Sequence, residues 1–172
     1  MDWRVRAATI ADAPSLALIG SATFLETFAG LLDGGAIVAH CRREHSASAY
    51  QQYLCDGAFA WLAETQRGGA PIGFALLAGT DLPGSEPGGA DLELKRIYTL
   101  SRFHGSGMGS RLMHCAAELA RDKGARRLLL GVYAGNERAI AFYGKNGFKR
   151  IADRRFRVGD REYPDIVFAL AL

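Results

Sequence analysis

The sequence predicts an α/β fold in one domain, and three observations carry that expectation. Apolar residues alternate over about seven short stretches, the period of a half-buried strand. Over about four longer stretches they recur three and four apart, the period of a helix, and the two kinds interleave. A chain of 172 residues, 49% hydrophobic and 23% charged, with no linker and no internal repeat, suits a single core over residues 1–172.

Residues 3–7 alternate as a first strand. Thr9 stands at the cap of a helix entered through Ala11-Asp12-Ala13-Pro14, with Pro14 tolerated in its first turn. Leu16, Ile19 and Phe24 carry that helix on, and residues 30–35 break it between two glycines. A second helical stretch covers residues 36–54. Strands at 59–64 and 72–78 are joined through Arg67-Gly68-Gly69, and the Pro- and Gly-rich residues 79–90 form a loop longer than a hairpin turn. Strands follow at 92–99 and 127–132, with helices from near Gly107 and near Asn136. Two closing strands, at 149–158 and 163–170, meet through Gly159-Asp160.

Composition narrows the class of function. A formal net charge of +3 does not call for nucleic acid, although it suits a polyanionic small molecule. The pairs Arg42-Arg43, Arg126-Arg127 and Arg154-Arg155 are short and scattered, as on a solvated surface. Cys41, Cys55 and Cys115 are odd in number and lack framework spacing, as expected in a reducing cytosol. Asp2, Arg4 and Arg6 stand where a signal peptide needs apolar residues, and no run nears the ~20 apolar residues of a membrane span. A cytoplasmic protein with no membrane partner is expected. Cys41 and His45 stand four apart beside His40, but no second pair completes a metal-ligand set, so no metal is expected.

Phe103-His104-Gly105-Ser106-Gly107-Met108-Gly109-Ser110 joins the strand at 92–99 to a helix carrying Leu112, Met113, Ala116, Leu119 and Ala120. Alternating glycines at a strand-to-helix turn expose backbone N–H groups at the positive end of a helix, which favours phosphate. A nucleotide-triphosphate loop fails here, because Gly109 is followed by Ser110-Arg111 rather than Lys-Ser/Thr. A dinucleotide fingerprint fails too: the third glycine comes one place early, and the strand at 127–132 ends without a carboxylate. Taken alone, the glycines still allow a plain tight turn.

Asn136-Glu137-Arg138-Ala139-Ile140-Ala141-Phe142-Tyr143-Gly144-Lys145-Asn146-Gly147-Phe148 resembles the N-x-x-A-x-x-F-Y-x-x-x-G-F segment of the GNAT acyl-CoA N-acyltransferases. Residues 93–112 resemble that superfamily's acetyl-CoA pyrophosphate motif, and together the two segments span about a third of the chain. The resemblance implies a mixed central sheet of about seven strands flanked by about four helices, with two parallel strands splayed at the cofactor site. It implies acetyl-CoA as co-substrate, held by Ile97, Tyr98, Thr99, His104, Gly105, Ser106, Gly107, Met108, Gly109, Ser110 and Asn136. His104 departs from the usual Arg or Gln at its position. The ligating groups of such a loop are mainly backbone, so binding is expected to survive, with a pH dependence of its own.

Acetyl transfer to an amine needs a proton taken from the ammonium and one given to the departing thiolate. The resemblance assigns the acid to Tyr143; helical spacing, which places Asn136, Ala139 and Tyr143 along one face, agrees with that and equally with a core role. It offers Glu93 as the base, where some members carry a strand glutamate and others use ordered water. Glu26-Thr27-Phe28 resembles the Glu-Thr-Phe segment of bacterial polyamine N-acetyltransferases, whose closing strands also resemble Val158-Gly159-Asp160 to Asp165-Ile166. The expected activity is direct transfer of acetyl from acetyl-CoA to a primary amine of a small molecule, a polyamine among the candidates, by a monomer or homodimer. The alternatives are a protein N-terminal or lysine acetyltransferase and a non-catalytic acyl-CoA sensor; the presence of Tyr143 speaks against the sensor.

Overall fold

A computed structural model describes residues 2–86, 88, 90–159 and 161–172. Pro87, Gly89 and Asp160, which the sequence places in the long loop and the closing turn, lie outside the described residues. Among the described residues seven strands form one sheet: β1 (Trp3–Ala7), β2 (Phe59–Thr65), β3 (Pro71–Gly79), β4 (Asp91–Thr99), β5 (Arg127–Tyr133), β6 (Lys149–Val158) and β7 (Arg161–Ala171). Their order is β1-β2-β3-β4-β5-β7-β6. The sheet is mixed, as expected: β4 and β5 run parallel, while β1–β2, β2–β3, β5–β7 and β6–β7 are antiparallel. The parallel ladder runs from Asp91 opposite Arg127 to Glu93 opposite Leu129, the first third of β4.

The helices are α1 (Ala13–Phe28), α2 (Gly34–Glu44), α3 (Ala47–Cys55), α4 (Met108–Asp122) and α5 (Glu137–Lys145). Periodicity predicts about four; among the described residues there are five, because the stretch at 36–54 is two helices. Ser46 divides it: its hydroxyl accepts the Ala49 N–H at 3.1 Å, capping α3, and His45 before it has left helical geometry (ψ 27). A serine hydroxyl competes with the helical ladder in just this way. The start of α1 differs too. A 3-10 turn at Ile10–Asp12 precedes it, and Thr9 caps that turn in a capping box with Asp12, whose carboxylate accepts the Thr9 N–H and hydroxyl. Arg6 grips the same carboxylate at 2.9 and 2.7 Å, which drives Asp12 well below the usual carboxylate range.

The chain packs as two compact units, one reaching to Leu77 and including Arg96–Ala116, the other Ala78–Lys95 with Ala117–Leu172. In the first, Ala13, Leu16 and Ile19 of α1 and Tyr50 of α3 close over Ala60 and Leu62 of β2 and Phe74 and Leu76 of β3. The α1 residues lie three apart, the inward stripe of an amphipathic helix. In the second, Leu82 from the long loop packs with Leu129 of β5 and Val167 and Ala169 of β7. The loop is pinned as well: Arg127 Nε and Nη2 donate to Asp91 at 3.0 and 2.6 Å, and Nη2 reaches the Gly84 carbonyl at 3.0 Å. Hydrogen bonds from Arg127 hold the Asp91 carboxyl below its ordinary range despite its burial.

Candidate active site

The turn after β4 is built from backbone. A 3-10 turn at Ser101–Phe103 leads into it, and the His104 N–H donates to the Ser101 carbonyl at 3.0 Å and the Ser106 N–H to that of Phe103 at 3.2 Å. Gly105 and Gly107 have φ of +81° and +84°, and a Cβ at either would meet nothing within 4 Å. Glycine is demanded there by conformation, not by crowding. The first intrahelical bond of α4 runs from the Arg111 N–H to the Gly107 carbonyl at 3.0 Å. The N–H groups of Met108, Gly109 and Ser110 therefore precede the ladder, an arrangement that favours an anion. Buried Met108 anchors the helix start, its N–H 3.4 Å from Ser106 Oγ. Gly73 of β3 gives this corner room: a Cβ there would stand 3.0 Å from the Tyr98 carbonyl and 3.1 Å from Met108 Sδ. Nothing in the sequence around Gly73 signals that role. It is visible only once β3 and β4 are side by side.

His104 folds back on its own strand, with Nε2 3.1 Å from the Thr99 carbonyl; facing an acceptor, that nitrogen is the protonated one. The ring of Tyr98 stacks on Phe74 (centroids 6.0 Å apart) and joins the α1–α3 core, while Ile97 is half-buried.

Asn136 caps α5 and lies just outside it, its Oδ1 accepting the Ala139 N–H at 3.1 Å. Tyr143 is buried two turns on, among the rings of Phe142, Phe148 and Phe168 at 5.6, 5.7 and 6.4 Å. Glu93 is buried on β4, and Lys95, two residues on and so on the same face, donates to its Oε2 at 2.9 Å.

The N-terminal candidates have structural partners. Glu26 accepts the Ser101 N–H at 2.8 Å and the Ser101 hydroxyl at 2.6 Å, tying the end of α1 to the turn before the glycines. The Thr27 hydroxyl donates to the Thr23 carbonyl at 2.7 Å, and Phe28 packs on Phe24 at 4.5 Å. His40 and His45, the candidate metal ligands of the sequence, belong to an aromatic cluster: His40 stacks on Phe24 at 4.2 Å, and His45 Nδ1 bonds the Tyr50 hydroxyl at 2.8 Å. Among the described residues no three His, Cys, Asp or Glu are grouped to hold a metal ion. No described helix is long and apolar enough to cross a membrane.

With this geometry in hand, the comparisons with known proteins agree with one another. The model of the Acetyltransferase (GNAT) family matches residues 25–148, a span that takes in the glycine turn and all of α5. The chain belongs to the GNAT acetyltransferase family. An uncharacterized N-acetyltransferase of Mycobacterium tuberculosis is 33% identical over 161 residues, 94% of this chain and 98% of that one. The crystal structure of the PaiA N-acetyltransferase of Thermoplasma acidophilum, in complex with coenzyme A, covers all of both chains with a TM-score of 0.77 at 20% identity. That of a ribosomal-protein-alanine N-acetyltransferase from Brucella melitensis gives 0.71 at 25% identity, covering 98% of this chain and 99% of its own. As a GNAT member the protein is an acetyl-CoA-dependent N-acetyltransferase.

Proposed function

We propose that residues 1–172 act as a single N-acetyltransferase domain, monomeric or homodimeric, moving acetyl from acetyl-CoA to a primary amine of a small molecule by direct transfer. The observation that carries this reading is the left-handed Gly105–Gly107 turn at the head of α4 in a chain matched by the family model. In it, the backbone of residues 104–110 receives the pyrophosphate. Ile97, Tyr98 and Thr99 on β4 and Asn136 at the head of α5 line the pantetheine arm.

An alkylammonium of pKa ~10.4 is more than ~99% charged at neutral pH, so its proton must be removed before attack. Glu93 receives that proton, directly or through water. The free amine then attacks the thioester carbonyl carbon, the new C–N bond forms, the C–S bond breaks, and Tyr143 gives its phenolic proton to the thiolate. The products are an amide and a free thiol.

The likeness at Glu26-Thr27-Phe28 makes spermidine one acceptor to test, but a polycation needs unengaged carboxylates. Glu26 is held by Ser101, Asp33 caps α2 through the Ala36 N–H at 3.1 Å, Asp56 accepts from Gln52 at 2.8 Å, and Asp91 is clamped by Arg127. A second reading, acetylation of a protein α-amino group, draws on the likeness to the Brucella enzyme.

The test is acetyl-CoA-dependent thiol release over a panel of small amines, spermidine and an N-terminal Ala peptide. Tyr143→Phe should leave the KM for acetyl-CoA nearly unchanged and lower kcat by roughly 10²-fold. Glu93→Gln should depress the rate most at low pH and be partly rescued as pH rises and supplies free amine. Turnover of Tyr143→Phe within about twofold of the parent would give Tyr143 a structural role alone.

A further inference from the structure

Arg96 is not accounted for by any step above. It lies on β4, its side chain only 11% exposed, with its guanidinium over the faces of Tyr50 and Tyr53 at 5.3 and 5.2 Å. Nη2 reaches Glu44 Oε2 at 3.3 Å, a long contact for a charged pair, and buried Nη1 has no hydrogen-bond partner among the described residues. A guanidinium cannot shed its charge, and leaving one of its donors buried and unmet is costly. Apolar side chains could cover the same two rings without that cost. The unmet need is an acceptor at the Nη1–Nη2 edge, and a planar anion with two oxygens meets both nitrogens at once.

Glu44 shows how such a group would enter. Its Oε1 is held by Arg43 Nε at 2.8 Å, and its side chain is 31% exposed. An incoming carboxylate can take Nη2 from Oε2 while Glu44 stays paired with Arg43, so no charge is stranded. The elements around Arg96 are α2 and α3, which supply Glu44, Tyr50 and Tyr53; the cofactor's phosphates have their own seat at the glycine turn.

We propose that Arg96, flanked by Tyr50 and Tyr53, is a carboxylate-binding site for the acceptor, so that the amine acetylated by this enzyme also carries a carboxylate. The inference rests on the small-amine reading and narrows it to amino acids and related zwitterions. It sets Arg96 against a polycation, which the guanidinium would repel.

The experiment compares amines that differ only by a carboxylate, lysine with cadaverine and ornithine with putrescine, in kcat/KM and in calorimetric binding to the CoA-loaded protein. Wild type should favour the carboxylated member by roughly tenfold or more. Arg96→Gln should bring that ratio close to one, and Arg96→Lys should keep part of it, because an ammonium lacks the fork. Glu44→Gln should raise the ratio by removing the competing carboxylate. Melting temperatures of the variants identify any that fail to fold; the wild-type ratio stands without them. Equal use and equal binding of both members by wild type would overturn the site. So would an Arg96→Gln effect confined to the KM for acetyl-CoA, which would assign the anion to the cofactor. Preferential binding of the carboxylated member without any turnover would support the site and count instead against the small-amine reading.

Discussion

Gly20 faces inward from α1, directly over the hydrogen bond between His45 and Tyr50. A methyl there would overlap His45 Nδ1 and stand 2.5 Å from the Tyr50 hydroxyl. Both side chains are buried, so neither can swing away into solvent. Overpacking of this kind costs about 1–3 kcal/mol, against about 1 kcal/mol gained by replacing a mid-helix glycine with alanine. Gly20→Ala should therefore destabilise the protein by up to about 2 kcal/mol, read as a lower urea midpoint. Gly144 of α5 is the matched contrast: a Cβ there meets nothing within 4 Å, so Gly144→Ala should stabilise by up to about 1 kcal/mol. If both variants shift in the same direction, steric crowding at Gly20 is not what decides. Neither glycine was distinguishable in the sequence, where each sits in an apolar, helix-periodic stretch. What separates them is the partner that folding brings to one and not to the other.

His40 of α2 and His45 at its end both lie in the apolar interior, and this has a consequence for pH. Burial lowers His40 to about 4 and His45 to about 3. For His40 the Arg96 and Arg43 charges add to the lowering and Glu44 opposes it; Arg96 and His40 act the same way on His45. The neighbouring Tyr50 hydroxyl is driven up by burial and stays protonated over the whole range. Below the ordinary histidine value of ~6.5 the unfolded chain binds protons that the folded chain refuses. Stability should thus be full above pH ~6.5 and fall as pH drops toward about 4, with a limiting slope of about 1.4 kcal/mol per pH unit for each histidine. The carboxylates lowered by ion pairs, Asp12 and Asp91, act only below their own ordinary value near 4, so the two windows separate. Urea midpoints at pH 7, 6 and 5 check this, and His40→Phe, which keeps the stack on Phe24, should remove about half of the slope. A flat profile over that range would mean that the histidines are solvated. Cys41, His40 and His45 are spaced in a pattern that metal sites share; the two histidines are instead buried against Phe24 and Tyr50, next to a turn at Ser46 that periodicity over residues 36–54 does not register.

Across the whole molecule, the parts that sequence disclosed best are those whose chemistry is local. The glycines at 105 and 107 had to be glycine for their own backbone angles, and Asn136 caps the helix that it begins, so both read directly from neighbouring residues. The acceptor side is different. Arg96, Glu44, Tyr50 and Tyr53 come from three elements and form a cluster only after α2 and α3 fold onto β4, so no run of sequence displays it. The engagement of Glu26 by Ser101, 75 residues away, was hidden for the same reason. The local part makes the last prediction. If the α4 amides and the glycine turn hold the cofactor, acetyl-CoA binds the native state and not the unfolded chain, and stabilises it by mass action. At a hundred times its dissociation constant the gain is about 2.7 kcal/mol, roughly 5–10 °C in Tm for a domain of this size. ATP and NADH share phosphates but lack the pantetheine arm that Asn136 and β4 would line, so they should raise Tm by much less. Gly107→Ala forces an L side chain into a positive-φ position, and it should lower Tm without ligand and shrink the acetyl-CoA shift as well. A full acetyl-CoA shift in that variant would show that the turn only joins β4 to α4, and an NADH shift as large as that of acetyl-CoA would show that it reads phosphate alone.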